Sequence, residues 1–485
     1  MSQQRRTLER ALKDVDGRLR NHPGAVELKF ERARLLERLG RVDEARLGYV
    51  EILGRDAGHF GALNNLGMLL FQAGMRDDAF TCFNAAVAKH PRNPLGRANL
   101  GLLLLRGGDA QRAREQYEIA VELDPENAES RRGLALALQA LGEDERAAPH
   151  AQAGFARQPV MKLPYRGSGT GTRLLAIVSA GPGNVPLERF IDDRVYAVSK
   201  AVAEYCDEST PLPEHEAVLN LIGDADAAGD ALEAALKIAQ RSGAPTINDP
   251  AMVLATGRAA NSARLATIAG VVAPKTFAMR RAFFERDGAA AELLQRGVTF
   301  PLLLRSPGFH TGRNFELVER REALATIAAS LPGDELLVIE YVDTRGFDGN
   351  VRKYRVMLVG GRAYPLHLAV APQWKVHYFS ADMERNPQHR AQEEAFLHDM
   401  HATLGAPAIA AIERIGATLN LDYAGIDFAI DASGNVVAFE ANATMIVPAA
   451  APGAPQYRQT AIGRIEQAVH DLLAARTAVT RSPRS

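Results

Sequence analysis

The chain has 485 residues, 47% of them hydrophobic and 24% charged, which suits a soluble globular protein of roughly two to four domains. Its 57 Lys and Arg nearly balance 58 Asp and Glu, so the formal net charge of −1 sets up no global field to recruit nucleic acid or an anionic membrane. No apolar run reaches about 18 residues, the N-terminus lacks a signal peptide's apolar core, and the only cysteines, Cys82 and Cys206, lie far apart; a reduced, cytoplasmic protein is the expectation.

Residues 1–161 repeat with a period of 34 when segments starting at Val26, Phe60, Pro94 and Ala128 are stacked. The eighth position reads Ala33, Gly67, Gly101, Ala135, and the fifteenth reads Gly40, Gly74, Gly108, Gly142. The twentieth reads Ala45, Ala79, Ala113, Ala147, and the thirty-second Ala57, Pro91, Pro125, Pro159. Small residues where two helices cross, a glycine at the turn and a proline at the exit make the tetratricopeptide signature. Ala11 and Pro23 extend it by half a repeat, which implies about nine helices in a right-handed solenoid whose concave face holds an extended peptide. Asn65 and Asn99 occupy the same place on the first helices of successive repeats. They either reach into that groove and hold a ligand's backbone, or cap neighbouring turns or face solvent. Arg131 and Arg132 continue that surface as solvated side chains, and Cys82 falls on an apolar stripe and reads as core.

Periodicity breaks at 162–172 (KLPYRGSGTGT), a linker rich in Gly, Pro and Ser. Residues 173–249 then alternate strand, turn and helix: a buried apolar strand at 174–180, GPGN at 181–184, strands at 217–226 and 245–248, and a helix at 227–241. The GPGN turn lacks G-x-G-x-x-G and a Walker lysine, so a plain tight turn is favoured over a phosphate cradle.

In 250–476 a helix contains Arg258, and a strand at 300–305 ends in Arg305 and runs into the Gly-rich stretch 306–314. Strands follow at 336–342 and 351–358, the second opening a hairpin, then the segment Trp374-Lys375-Val376-His377 and a helix at 407–419. Two apolar runs, 425–431 and 436–442, flank the turn Ala432-Ser433-Gly434-Asn435 and read as a hairpin. Pairing Asp431 with Val436 sets Asp427 opposite Glu440, with Asn442 on the face of Glu440. Two carboxylates and an amide oxygen converging among apolar residues suit Mg²⁺; a solvated pair on an exposed sheet face is the other reading. A helix at 463–476 closes the fold, and 477–485 reads as a disordered tail.

That hairpin, an Asp on one strand and E-x-N on the next, resembles the magnesium-binding hairpin of the ATP-grasp superfamily of carboxylate–amine ligases. Glutathione synthetase and the ribosomal-protein glutamate ligases are similar in pattern. The resemblance spans roughly residues 172 to 476 in ordered motifs. It implies an α/β pre-ATP-grasp substrate domain (173–249) and an α+β ATP-grasp domain (250–476) behind an all-α solenoid. It implies ATP and Mg²⁺ as cofactors, with Asp427, Glu440 and Asn442 on the metal. Arg258 and Arg305 stand where relatives carry phosphate-binding lysines, and Gly308, His310, Thr311 and Gly312 form the loop over the triphosphate. His310 either contacts the γ-phosphate or caps the loop. Glu340, Tyr341 and Val342 map to the adenine hinge. Arg355 and Lys353 face the acyl phosphate, unless they form a solvent stripe. Asn184, Lys375 and His377 are candidates for substrate contact. The implied activity is amide or peptide bond formation through an acyl phosphate, releasing ADP and phosphate, on a peptide or protein presented by the repeats. A kinase on the same scaffold and a non-catalytic nucleotide-sensing repeat scaffold are the alternatives.

Overall fold

The computed structural model describes residues 3–308, 312–376, 381, 383, 385–449 and 453–478. They form two compact units, Met1–Pro159 and Val160–Ser485.

The first unit is α1 (Gln3–Asn21), α2 (Val26–Arg38), α3 (Val42–Arg55), α4 (Phe60–Gln72), α5 (Arg76–Lys89), α6 (Pro94–Arg106), α7 (Ala110–Leu123), α8 (Ala128–Ala140) and α9 (Asp144–Phe155). Each first helix of a pair stops at a glycine in the left-handed region: Gly40, Gly74, Gly108 and Gly142, with φ of 76°, 80°, 86° and 77°. His59, Asn93 and Asn127, again 34 apart, accept main-chain N–H groups at the start of the next pair. The period also stores a knob and a hole. Tyr49, Phe83 and Tyr117 are 0%, 1% and 3% exposed. A Cβ on Gly67 would come within 2.7 Å of Phe83, and one on Gly101 within 2.9 Å of Tyr117. Only a missing side chain lets the ring lie against the helix.

The second unit contains β1 (Val160–Lys162), β2 (Thr172–Val178), β3 (Tyr196–Val202), β4 (Ala217–Asn220), β5 (Thr246–Ile247), β6 (Val271–Val272), β7 (Thr276–Arg280), β8 (Leu302–Arg305), β9 (Phe315–Val318), β10 (Glu335–Glu340), β11 (Val351–Val359), β12 (Arg362–Ala371), β13 (Tyr423–Ile430) and β14 (Val436–Asn442). They make a five-stranded sheet ordered β1-β3-β2-β4-β5, a four-stranded sheet β7-β10-β8-β9, and a five-stranded sheet β12-β11-β13-β14-β6. The first is parallel except for β1; the second is antiparallel throughout. Helices at Gly229–Ser242, Pro387–His398, Ala406–Leu419 and Gln456–Ala478 pack in this unit. The last carries the chain through Thr477 and Ala478, inside the expected tail; residues 479–485 lie outside the described residues.

Three differences from the sequence reading have local causes. Residues 160–162 belong to a sheet, because β1 pairs with β3, and not to the end of the array or a linker. β4 stops at Asn220 because its amide turns the chain, accepting the Ile222 N–H at 3.1 Å and donating to Asn248 O at 3.0 Å. At the hairpin, Val436 pairs with Ile430 and not with Asp431, a slip of one residue. A β-bulge at Phe439 cancels the slip, so Asp427 does face Glu440.

Candidate functional site

The four-stranded sheet and the sheet carrying β11–β14 contribute residues to one cavity of about 920 Å³. β12 sets His367 opposite Arg355, β13 sets Asp427 opposite Arg355, and β14 sets Glu440 opposite Asp427. One rung across four strands thus carries His367, Arg355, Asp427 and Glu440, all on the cavity wall. Facing carboxylates repel, and the fold surrounds this pair with cations. Arg355 Nε and Nη2 donate to Asp427 at 2.5 and 2.7 Å, and Lys353 Nζ donates at 3.0 Å. Asp427 is 3% exposed. Burial alone would raise its pKa, but Lys353 and Arg355 hold it well below the usual carboxylate range. Glu440 accepts on Oε1 from Arg258 Nη2 at 2.7 Å and Asn442 Nδ2 at 2.9 Å. Burial opposes its charge too, yet Arg258 and Arg305 keep its pKa low.

Arg258 is the first residue of the helix Arg258–Leu265, and its other arm donates to Asp226 at 2.9 Å. Arg305 ends β8 over the Phe315 ring, 5.5 Å from its centre; burial and the neighbouring Arg258 push its pKa down. Gly308 and Gly312 reach the wall in left-handed conformations, while His310, Thr311 and His377 lie outside the described residues. Leu303, Ile339, Trp374, Tyr341 and Val342 form an apolar flank, with Trp374 meeting Phe315 and Tyr341 edge-on. The main chain of Tyr341 and Val342 makes no backbone hydrogen bond among the described residues.

Four expected roles change. Glu340 is committed to Lys275: its N–H donates to the Lys275 carbonyl at 2.9 Å and its carboxylate accepts the Lys275 N–H at 3.0 Å. It ties β10 to the chain entering β7, next to the unbonded main chain of Tyr341 and Val342. Asn184 lines the cavity, but its amide holds its own turn, accepting from Ser179 N and donating to Ser179 O, both at 2.8 Å. Lys375 Nζ donates to the Phe315 carbonyl at 2.8 Å and anchors β9. Asn442 Oδ1 accepts the N–H and hydroxyl of Thr444 at 3.1 and 2.7 Å, so the expected amide-oxygen metal ligand is turned away.

To take a divalent cation, Asp427, whose oxygens accept three hydrogen bonds, and Asn442, whose amide oxygen accepts two, would each have to exchange partners. Glu440 Oε2 accepts no hydrogen bond among the described residues, and Mg²⁺ takes one or two carboxylates and draws its other oxygens from phosphate and water. No cluster of three or more His, Cys, Asp or Glu able to hold a metal occurs among the described residues. Sequence reasoning missed Asp226, His367 and Asn261, which is buried and donates to Ala441 O at 2.5 Å. Carrying the register from Asp427 across two more strands finds His367; nothing in the local pattern marks the other two.

A family model described as Tetratricopeptide repeat matches residues 3–60, 64–125 and 98–159. The N-terminal region carries tetratricopeptide repeats. No curated protein matches the chain. Among solved structures, MamA from Desulfovibrio magneticus RS-1 is 24% identical, over 30% of this chain and 81% of that one, with a TM-score of 0.28. A tetratricopeptide repeat protein from Parabacteroides merdae ATCC 43184 is 18% identical over 31% of this chain and 60% of its own, TM-score 0.29. YrrB, described as a TPR protein with an unusual peptide-binding site, is 20% identical over 30% and 75%, TM-score 0.28.

In the tetratricopeptide array, α2, α4 and α6 line a second cavity of about 410 Å³ that includes Phe30, Arg34, Phe60, Asn64 and Asn65. Asn65 and Asn99 serve a ladder between repeats. Tyr49 OH donates to Glu37 at 2.7 Å, Asn65 Nδ2 to Tyr49 OH at 3.0 Å, Asn64 Nδ2 to Asn65 Oδ1 at 3.2 Å, and Asn99 Nδ2 to Asn64 Oδ1 at 2.7 Å. Asn99 is 7% exposed and stays off the cavity wall. Arg131 and Arg132 hold the carbonyls of Pro125 and Gly154 at 2.6 and 2.9 Å, so neither is merely solvated.

Proposed function

We propose that the Val160–Ser485 unit is an ATP-grasp ligase that joins a carboxylate to an amine with ATP and Mg²⁺. The observation that carries this reading is the convergence of Arg258, Arg305, Lys353 and Arg355 on a facing Asp427–Glu440 pair, beside an apolar flank with unbonded main chain at Tyr341 and Val342. An adenine needs that kind of slot, with a few fixed backbone partners. Arg258 and Arg305 would grip the phosphates, and Arg keeps the charge that relatives supply with Lys. Mg²⁺ on Asp427 and Glu440 would neutralise phosphate charge during transfer.

A substrate carboxylate oxygen attacks the γ-phosphorus, the bond to the ADP oxygen breaks, and an acyl phosphate forms. Lys353 and Arg355 stabilise the charge on the transferred group. The amine nitrogen then attacks the acyl carbon, and inorganic phosphate and a proton leave. Orientation and electrostatics carry the rate, so no Ser or Cys nucleophile is needed. The tetratricopeptide array would bind a peptide or protein segment, either the substrate itself or a partner that brings it.

The test is ADP release by purified protein with Mg²⁺-ATP and pooled amino acids and peptides, beside Asp427→Asn. Substrate-dependent ADP release, lost in the variant and matched by an amide product in mass spectra, is expected. A phosphorylated product in place of an amide would make the protein a kinase. AMP release would overturn the acyl-phosphate route, and ATP binding without turnover would favour a nucleotide-sensing scaffold.

A further inference from the structure

Three of the cavity's cations already hold carboxylates: Arg258 holds Asp226 and Glu440, and Lys353 and Arg355 both hold Asp427. Asp427 is the extreme case. It is buried, and its two oxygens accept three charge-assisted hydrogen bonds from Lys353 and Arg355, the two residues assigned above to the transferred phosphoryl group. We propose that Asp427 acts as an internal counter-ion that makes the cavity select a polyphosphate carried on a divalent cation over the bare polyphosphate. This rests on the nucleotide-binding reading above and goes beyond it in assigning Asp427 a part in specificity before any metal is bound.

The argument is one of charge exchange. A bare polyphosphate that reaches Lys353 and Arg355 must take them from Asp427. That would leave a buried carboxylate stripped of both its hydrogen-bonded cations, facing Glu440 across the rung and a new anion in the cavity. Stripping one partner from a buried ion pair is far more costly than making the pair is favourable. When the polyphosphate brings a divalent cation, Asp427 keeps a positive neighbour and can release its two side chains to the phosphate oxygens. Glu440 supplies the second oxygen: its Oε2 accepts no hydrogen bond among the described residues, and the residue lines the same wall. The converse also holds. A divalent cation alone meets an Asp427 already neutralised by two side chains, and gains little by displacing them. Cation and polyphosphate should therefore each strengthen the other's binding by the same factor, as linkage requires.

Trp374 lines the cavity and is the chain's only tryptophan, so its fluorescence reports on this site. The experiment titrates full-length protein with inorganic tripolyphosphate and with ATP, each in EDTA and in Mg²⁺, by Trp374 fluorescence and calorimetry; Mg²⁺ alone is titrated too. For wild type we expect binding at least about tenfold tighter with Mg²⁺ than in EDTA, and negligible heat from Mg²⁺ alone. In Asp427→Asn, Lys353 and Arg355 are freed, so metal-free tripolyphosphate should bind tighter than to wild type and the Mg²⁺ preference should disappear. Wild type binding bare tripolyphosphate as tightly as the Mg²⁺ form overturns the proposal, and so does a folded Asp427→Asn that keeps the preference. Binding of tripolyphosphate in neither condition overturns it as well. If circular dichroism shows the variant unfolded, the wild-type titrations decide alone. ATP binding no tighter than tripolyphosphate would sink the nucleotide reading and leave the counter-ion intact. Tight, metal-independent ATP binding would do the reverse.

Discussion

The tetratricopeptide array threads its interior with neutral polar groups, whereas the α/β unit buries charges. In the array, the Tyr49–Asn65–Asn64–Asn99 ladder links successive repeats through a hydroxyl and amides, reaching a carboxylate only at Glu37. In the α/β unit, Asp427, Glu440 and Glu393 are held by Arg355, Arg258 and Arg458. A satisfied amide ladder fixes how repeats stack and needs nothing further. A buried ion pair sits close to balance, is costly to break, and can exchange one partner for a ligand of like charge. The difference separates an interior held by neutral hydrogen bonds from one held by buried ion pairs.

The comparison is most directly broken at Glu393, whose side chain is fully buried against Arg458 and Tyr457. Glu393→Ala should cost about 3–5 kcal/mol by leaving the Arg458 charge without its carboxylate. The check is urea unfolding followed at Trp374, and a loss under about 1 kcal/mol would class the pair with exposed ones. Acid should then separate the two units. Asp427 and Glu440 have folded pKa values below their unfolded values of about 4, so their stabilisation is complete above that pH and is lost as pH falls through the folded values. Trp374 fluorescence should therefore report loss of the α/β unit at a higher pH than the far-ultraviolet signal of the array; coincident transitions would remove the contrast.

On the array side, Asn99→Ala strands the side-chain amide oxygen of Asn64 and should cost about 1–3 kcal/mol, measured as a lower melting temperature of the helical transition. No change would mean that the ladder is ornamental. The smallest effect is expected at Gly74, where φ is 80°: Gly74→Ala should cost about 1 kcal/mol because a Cβ disfavours the left-handed turn even with open space around it. A neutral result would show the turn relaxing.

Legibility followed the range of the contacts. The array was readable because each repeat restates one solution: glycines at 40, 74, 108 and 142 turn the chain, and a small residue opposite each bulky ring makes the helices fit. At the hairpin, counting back from a four-residue turn pairs Asp427 with Glu440, and that pair survives because the bulge at Phe439 offsets the slip at the turn. Glu340, Asn184, Lys375 and Asn442 all line the cavity, but each is already engaged by a neighbour. Their partners, Lys275, Ser179, Phe315 and Thr444, compete for the same lone pairs and protons, and no spacing rule reports that competition.

By itself, the sequence determined the helical period, the strand alternation and the residue types that carry charge, because these depend on neighbours within a few positions or one repeat. Only the tertiary structure decided that Arg258, Arg305, Arg355, Asp427 and Glu440 share one wall, and which of them already hold each other. Those choices depend on burial and on charges brought together across many residues of chain. Desolvation makes the nearest opposite charge decisive there, wherever in the sequence it comes from.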